Sequence, residues 1–149
     1  MRLISHRGNV DGKYPQYENL PEYVDKALDL GYDVEVDLWI DNDGFYLGHD
    51  EPTYPIDLKW LTDRYLHLWI HCKDLRTLSE MRELQLEMHV DLNYFFHNTD
   101  DSTITSKGDL WVYPGKQPVK HSIAVMPEYH KDDISQAIGV CSDYIKNYK

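Results

Sequence analysis

From Asp33 to Leu38 the chain alternates without a break, Val34, Val36 and Leu38 on one side and Asp33, Glu35 and Asp37 on the other. That is the period-two pattern of a strand with one apolar and one acidic face. Upstream, Leu20, Val24, Ala27 and Leu28 recur at helical spacing and form a buried stripe. Asn19 reads as the N-cap of this helix with Glu22 three positions on, Pro21 is tolerated in the first turn, and Gly31 fits the stop. Before it, RLIS at 2–5 reads as a short strand that runs into His6-Arg7-Gly8 and a turn-rich loop, DGKYPQY. Beyond the alternating strand, Asn42-Asp43-Gly44 predicts a hairpin with a return strand from Phe45 to Leu47.

After a proline-containing loop the unit repeats. HLWIHCKD is a strand, and LRTLSEMRELQ a helix with Leu75, Leu78, Met81, Arg82 and Leu84 facing inward; MHVDLNYFF is another strand. Past residue 97 the helical pattern fades. NTDDSTITSKG reads as polar loop, DLWVYP and SIAVMPE as strands, DDISQAIG as a short helix capped by Asp132 or Asp133, and VCSDYI as a last strand. Strands alternating with helices favour a parallel sheet with crossover helices.

The chain has 149 residues, the size of one domain spanning 1–149, and 42% of them are apolar, which suits a globular core. With 26 acidic against 15 basic residues the formal charge is −11, and no basic stripe interrupts it. A nucleic-acid partner is therefore not expected, and an anionic substrate needs a local positive site made by a few residues or a metal. The apolar runs are strand-length, so no membrane span is expected, and MRLISHRG lacks the apolar stretch of a signal peptide. Cys72 and Cys141 carry no CxxC spacing and read as buried, inert thiols of a reducing compartment, so a cytoplasmic location is expected.

Polar groups gather where the strands end. The first ends in His6-Arg7, the second carries Glu35 and Asp37, the third ends in His71 and Lys73 and the fourth in His97; later ones end in Tyr113, Glu128 and Asp143. In parallel α/β folds reactive groups sit at the carboxyl ends of the strands, so this recurrence points to one site assembled from the whole fold. Glu35 and Asp37 leave the same face of a strand at a spacing of roughly 7 Å. Two such anions repel, so one is pushed toward its protonated form unless a hard divalent ion such as Mg²⁺ or Ca²⁺ takes oxygens from both; the alternative is a solvated polar face opposite Val34, Val36 and Leu38.

The ordered set HRGN…YENLPEYVDKALDLGYDVEVDLWIDNDGFYLGHD, from His6 to Asp50, resembles the amino-terminal signature of the glycerophosphodiester phosphodiesterase family. Its elements are HRG, an E-N leading a helix, a glycine followed by E-x-D, a D-G turn, and HD. Farther on, IHCKD and GVCSDYI are similar to the family's third-strand and closing segments. The resemblance implies a metal-dependent phosphoric diester hydrolase on a TIM barrel. By position, His6 and His49 resemble the general acid and base pair, Arg7 the phosphate clamp, Lys73 a second cation, and Glu35 with Asp37 the metal ligands; Glu18 lies near the metal. His71 stands where the family has a glutamate, so Mn²⁺ or Zn²⁺ joins Mg²⁺ and Ca²⁺ as a candidate, because imidazole suits softer ions. His97, Tyr113 and Glu128 are candidate substrate contacts.

Full barrels of this kind run to roughly 250 residues. The expected fold is therefore an abbreviated TIM-type (β/α) barrel of mostly parallel strands, helix-poor in its C-terminal half, whose open strand edges would suit a homodimer. The expected partner is a small phosphodiester. Two alternatives stay open: a metal-independent, phospholipase C-like enzyme, and an inactive relative that binds a phosphorylated ligand or a protein.

Overall fold

The computed structural model describes every residue from Met1 to Lys149. The first half of the chain runs β1 (Arg2–His6), α1 (Pro21–Asp29), β2 (Asp33–Asp41), β3 (Gly44–Leu47), β4 (Tyr54–Ile56), α2 (Leu58–Asp63), β5 (Leu68–Cys72) and α3 (Leu75–Met88). The second half adds only strands and short 3-10 turns: β6 (Tyr94–Phe96), β7 (Ser102–Ile104), β8 (Leu110–Val112), β9 (Ser122–Val125) and β10 (Gly139–Ser142). No helix is long and apolar enough to cross a membrane.

All ten strands belong to one mixed sheet. Parallel pairings link β6, β5, β2, β1, β10, β9 and β8 in that order, while β2–β3, β3–β4 and β7–β8 are antiparallel. The expectation of a mostly parallel sheet is corrected accordingly. Turns as short as Asn42-Asp43 can join only antiparallel neighbours, and the helix-poor second half contributes a further antiparallel pair. The sheet curls until its ends approach. Ser106 bridges the gap, its N–H donating to the Tyr94 carbonyl (2.8 Å) and its hydroxyl oxygen accepting from the Tyr94 N–H (3.0 Å). No strand ladder joins β6 to β7, so the closed ring of a full TIM barrel is not formed.

The curl creates two apolar regions. On the convex side Val34, Val36 and Leu38 of β2 and Leu68, Ile70 and Cys72 of β5 pack under Val24 and Ala27 of α1 and Met81 of α3. On the concave side Ile4, Trp69, Phe95, Trp111, Ile123 and Cys141, each from a different strand, pack on one another. Trp111 lies 5.5 Å from Trp69 and 4.8 Å from Phe95 between ring centroids, closing the floor of the trough. Above that floor the concave face turns polar. Both cysteines are free and buried, and burial pushes both thiols up, as inert thiols require.

Several local expectations are revised. The N-cap of α1 is Leu20, without a side-chain cap bond, because the Asn19 side chain is used elsewhere. In α3 the inward residues are Thr77, Leu78, Met81 and Leu84, whereas Leu75 and Arg82 are exposed. Leu75 opens the helix directly after its cap, Asp74, whose Oδ1 accepts from the Thr77 N–H (2.7 Å). DDISQAIG forms no helix; the Asp133 carboxylate accepts from the Ser135 N–H (3.0 Å) and holds a turn instead. Within MHVDLNYFF only Tyr94–Phe96 pairs as strand, after His89 ends α3 in the left-handed conformation. Three elements arise inside segments read as loop: β7, and β4 with α2, where Asp57 caps α2 by accepting from Trp60 N–H at 2.8 Å.

Candidate active site

The strand ends on the concave side meet in a pocket of about 290 Å³. Its polar wall is made by His6, Arg7, Glu35, His49, His71 and Lys73. A second cavity of about 380 Å³, bordered by Lys13, Asp50 and Glu51, adjoins the first and shares Arg7 and His49 with it.

His6 and Arg7 are aimed by an unusual turn. Arg7 sits in the left-handed region at φ 56°, its N–H donating to the Glu35 carbonyl (2.9 Å). Such strain in a non-glycine residue persists only where surroundings over-determine it. Gly8 follows at φ 94°, and a Cβ there would lie 2.6 Å from the Tyr23 ring. The Arg7 guanidinium consequently turns inward, donating from Nη1 to Glu18 Oε2 (3.1 Å) and placing Nε 3.0 Å from Asp37 Oδ2 in an ion pair without hydrogen-bond alignment.

His6 is held by the last strand's end. Its Nδ1 lies 2.7 Å from Asp143 Oδ1, and its Nε2 3.8 Å from Glu35 Oε2. A carboxylate can only accept, which assigns the proton to Nδ1 and leaves Nε2 as the free acceptor of the neutral ring. Burial lowers the pKa of His6 and prevails over the opposing pull of Asp143. Asp143 is itself 1% exposed; burial pushes its carboxyl up, but the bonds from His6 and Asn9 and the Arg7 charge outweigh that and hold it low. Asn9 Nδ2 donates to Asp143 Oδ1 (2.8 Å) and to Glu18 Oε1 (3.0 Å), tying the two carboxylates together.

Asp37 and Glu35 fare differently. Asp37 Oδ2 accepts from Asn19 Nδ2 (2.9 Å), and the Asp37 N–H donates back to Asn19 Oδ1 (2.9 Å). His71 Nδ1 is 3.1 Å from Oδ1, with Lys73 Nζ 3.5 Å and His49 Nδ1 3.6 Å from the carboxylate. Against a burial effect that raises it, His49, His71, Arg7 and Lys73 hold the Asp37 carboxyl well below its usual range. Glu35 is 3% exposed, and its Oε2 is buried with no hydrogen-bond partner. Burial, reinforced by the Asp37 charge, pushes its carboxyl well up.

Ligand atoms of Glu35, Asp37 and His71 lie within 4.8 Å of one another. Two carboxylates and an imidazole, with one oxygen lacking any protein partner, fit a divalent cation. Glu18 stands outside that cluster and serves Arg7 and Asn9. His71 stacks on Phe95 (5.2 Å between centroids) with Nε2 3.3 Å from the His97 carbonyl.

His49 is carried on the loop after β3 with 45% of its side chain exposed. Gly48 sets that loop, its carbonyl accepting from Trp39 Nε1 (2.7 Å) and its N–H donating to the Asp37 carbonyl (3.1 Å). A Cβ at Gly48 would lie 2.1 Å from the Glu51 carbonyl oxygen, so only glycine fits.

The far wall is formed by His97 and Tyr113, stacked at 3.5 Å between centroids, with Tyr113 OH and His97 Nδ1 buried and unpartnered. Burial and the nearby His71 lower the His97 pKa to about 4, and burial raises Tyr113. Glu128 is not brought to the pocket. Met126, left-handed at φ 44°, opens a 3-10 turn that directs the Glu128 carboxylate to the Ser142 hydroxyl (2.7 Å) and Tyr148 OH (3.0 Å), where it ties the turn to the chain's end. Three residues outside the sequence-derived set, Asn9, Asn19 and Asp143, orient the others. Asp143 was visible as a strand-end carboxylate; Asn9 and Asn19 were visible within HRGN and E-N, but nothing in the sequence showed which carboxylates they bind. No family model, curated protein or solved structure matches the chain.

Proposed function

We propose that the chain is a metal-dependent phosphodiesterase that hydrolyses a small glycerophosphodiester-like ester, on an abbreviated barrel of the (β/α) kind. One observation carries the reading: His6 and His49 come within 3.8 and 3.6 Å of the Glu35/Asp37 couple, with the Arg7 guanidinium 3.0 Å from Asp37. These are the groups a phosphodiester needs within one small pocket.

Arg7 and Lys73 supply positive charge for the phosphate oxygens, and the planar fork of arginine matches their geometry. His6, neutral and with Nε2 free, takes the proton from the attacking oxygen, which is water or a neighbouring hydroxyl of the substrate. The imidazolium so formed is stabilised at Nδ1 by Asp143, a positioning residue. His49 gives a proton to the departing alkoxide, so the products are an alcohol and a phosphomonoester, or an alcohol and a cyclic phosphate. Glu35, Asp37 and His71 would hold the cation, and its contribution when bound is to offset charge developing on the phosphate. Asp143→Asn would therefore impair turnover through His6 without touching substrate.

A second reading draws on the cations already around Asp37. Arg7 and Lys73 compensate that carboxylate with protein groups alone, which favours a metal-independent, phospholipase C-like reaction at the same two histidines. A screen of glycerophosphodiesters with Mg²⁺, Ca²⁺, Mn²⁺ or Zn²⁺, and with chelator, on the wild type beside His6→Ala separates the readings. Turnover that needs an ion and falls by about a hundredfold or more in His6→Ala supports the first. Turnover that persists in chelator selects the second, and phosphate-ester binding without turnover under every condition overturns both.

A further inference from the structure

A separate cavity of about 390 Å³ lies against α1 and the 3-10 turn at Ile145–Tyr148, and it shares no lining residue with the pocket above. Its size falls within the roughly 300–1,000 Å³ of small-molecule sites. Its walls are apolar: Val10, Tyr23, Ala27, Leu30 and Tyr32. Leu30 is 58% exposed beside it, an uncovered hydrophobe at the groove's edge. The Tyr23 wall is fixed in place, because its hydroxyl donates to Asn9 Oδ1 (3.1 Å) and its ring packs over Gly8.

The rim carries three ammonium groups, Lys26, Lys146 and Lys149, against one acidic side chain, Asp11. This runs against the chain's net charge of −11. None of the three rim lysines forms an ion pair, as is also true of Lys13, Arg76, Arg82, Lys120 and Lys131, but only these three border one apolar cavity. Lys149 Nζ instead stands 4.6 Å from the centroid of the Tyr32 ring, an ammonium poised over the apolar wall.

We infer that this groove binds a medium-chain fatty carboxylate, its tail along Leu30, Tyr23 and Val10 and its head among the three lysines. Apolar walls alone would accept any hydrocarbon. The unpaired ammonium groups select an anionic head, and lysines without an arginine fork offer point charges rather than the bidentate geometry that phosphate recognition favours. A cationic amphiphile with the same tail meets repulsion at the rim.

The test titrates the full chain with decanoate below its micelle concentration, by calorimetry, beside decyltrimethylammonium as the cation of equal tail and acetate as the tailless anion. Saturable binding at one site per chain is expected for decanoate, with both controls weaker by about tenfold or more. Lys26 and Lys146 are exposed, so the Lys26→Glu/Lys146→Glu variant keeps the fold, checked by an unchanged circular dichroism spectrum. It is expected to weaken decanoate by about tenfold or more, and Leu30→Glu, also at an exposed position, by a similar factor. Absence of saturable decanoate binding, equal affinity for the cationic amphiphile, or wild-type affinity in the folded double variant would each overturn the inference.

Discussion

Asp143 joins the last strand to the first through His6, and its substitution separates electrostatics from shape. Its Oδ1 accepts from His6 Nδ1 at 2.7 Å and from Asn9 Nδ2 at 2.8 Å, and the residue is 1% exposed. Asp143→Asn can keep an oxygen facing both donors while removing the charge. Hydrogen bonds to charged groups contribute about 1.5–3 kcal/mol against about 0.5–1.5 for neutral ones, so over its two bonds the Asn variant should lose about 2 kcal/mol. Asp143→Ala strands His6 Nδ1, whereas Asn9 Nδ2 retains Glu18 Oε1 at 3.0 Å. Its expected cost is about 2–4 kcal/mol.

The His6 titration gives an independent readout. Burial lowers the His6 pKa and Asp143 raises it, so removing the charge must lower the midpoint further below 6.5. Because the unfolded chain takes this proton first, His6's contribution to stability is full above pH 6.5 and is lost as pH falls from 6.5 toward the folded midpoint. In the Asn variant that window extends to lower pH. Urea unfolding at pH 7 and proton NMR titration of the imidazole, both in chelator, measure the two effects. A His6 midpoint that rises in Asp143→Asn, or an Ala variant that loses less than about 0.5 kcal/mol, would refute the reasoning.

Two further outcomes follow from buried polar groups. Thr77 Oγ1 accepts from the Ile40 N–H at 2.9 Å in a fully buried position, so the near-isosteric Thr77→Val leaves that donor unsatisfied; it should lose about 1–3 kcal/mol in urea unfolding, and a loss under about 0.5 would contradict this. Glu35 has a folded pKa well above its usual value because of burial and Asp37, so the folded state binds its proton more tightly and stability falls as pH rises through the folded pKa. Glu35→Gln removes that penalty and should melt higher than wild type at pH 8 in chelator, with the advantage shrinking toward pH 4; a lower melting point at pH 8 would contradict it.

What could be read from the sequence was whatever a single strand or helix determines by itself. The alternation through Glu35 and Asp37 put both carboxylates on the concave face, and His6, Arg7, His71 and Lys73 were located by the ends of their strands. What could not be read depends on distant partners. Asn19 has the chemistry of a helix cap, but Asp37, 18 residues away, takes both ends of its side chain. Asp143 meets His6 across 137 residues, so its strand-end position was visible and its role was not. Glu128 has the alternation of an inward residue, yet the left-handed Met126 rotates the following turn outward. Strands β4 and β7 are three residues each, too short for period two to stand out. Of the antiparallel pairings that make the sheet mixed, β2–β3 was legible in Asn42-Asp43-Gly44, whereas β3–β4 and β7–β8 were not.

The central claim is that the two imidazoles pass protons for cleavage of one phosphate ester. Phosphorus NMR of a glycerophosphodiester incubated with the wild type, His6→Ala and His49→Ala, each with saturating divalent ion, tests it most directly. The account predicts conversion to a monoester or cyclic phosphate by the wild type and a rate lower by about a hundredfold or more in each folded variant. Unchanged conversion in either variant, or an intact diester with the wild type under every ion, would contradict it.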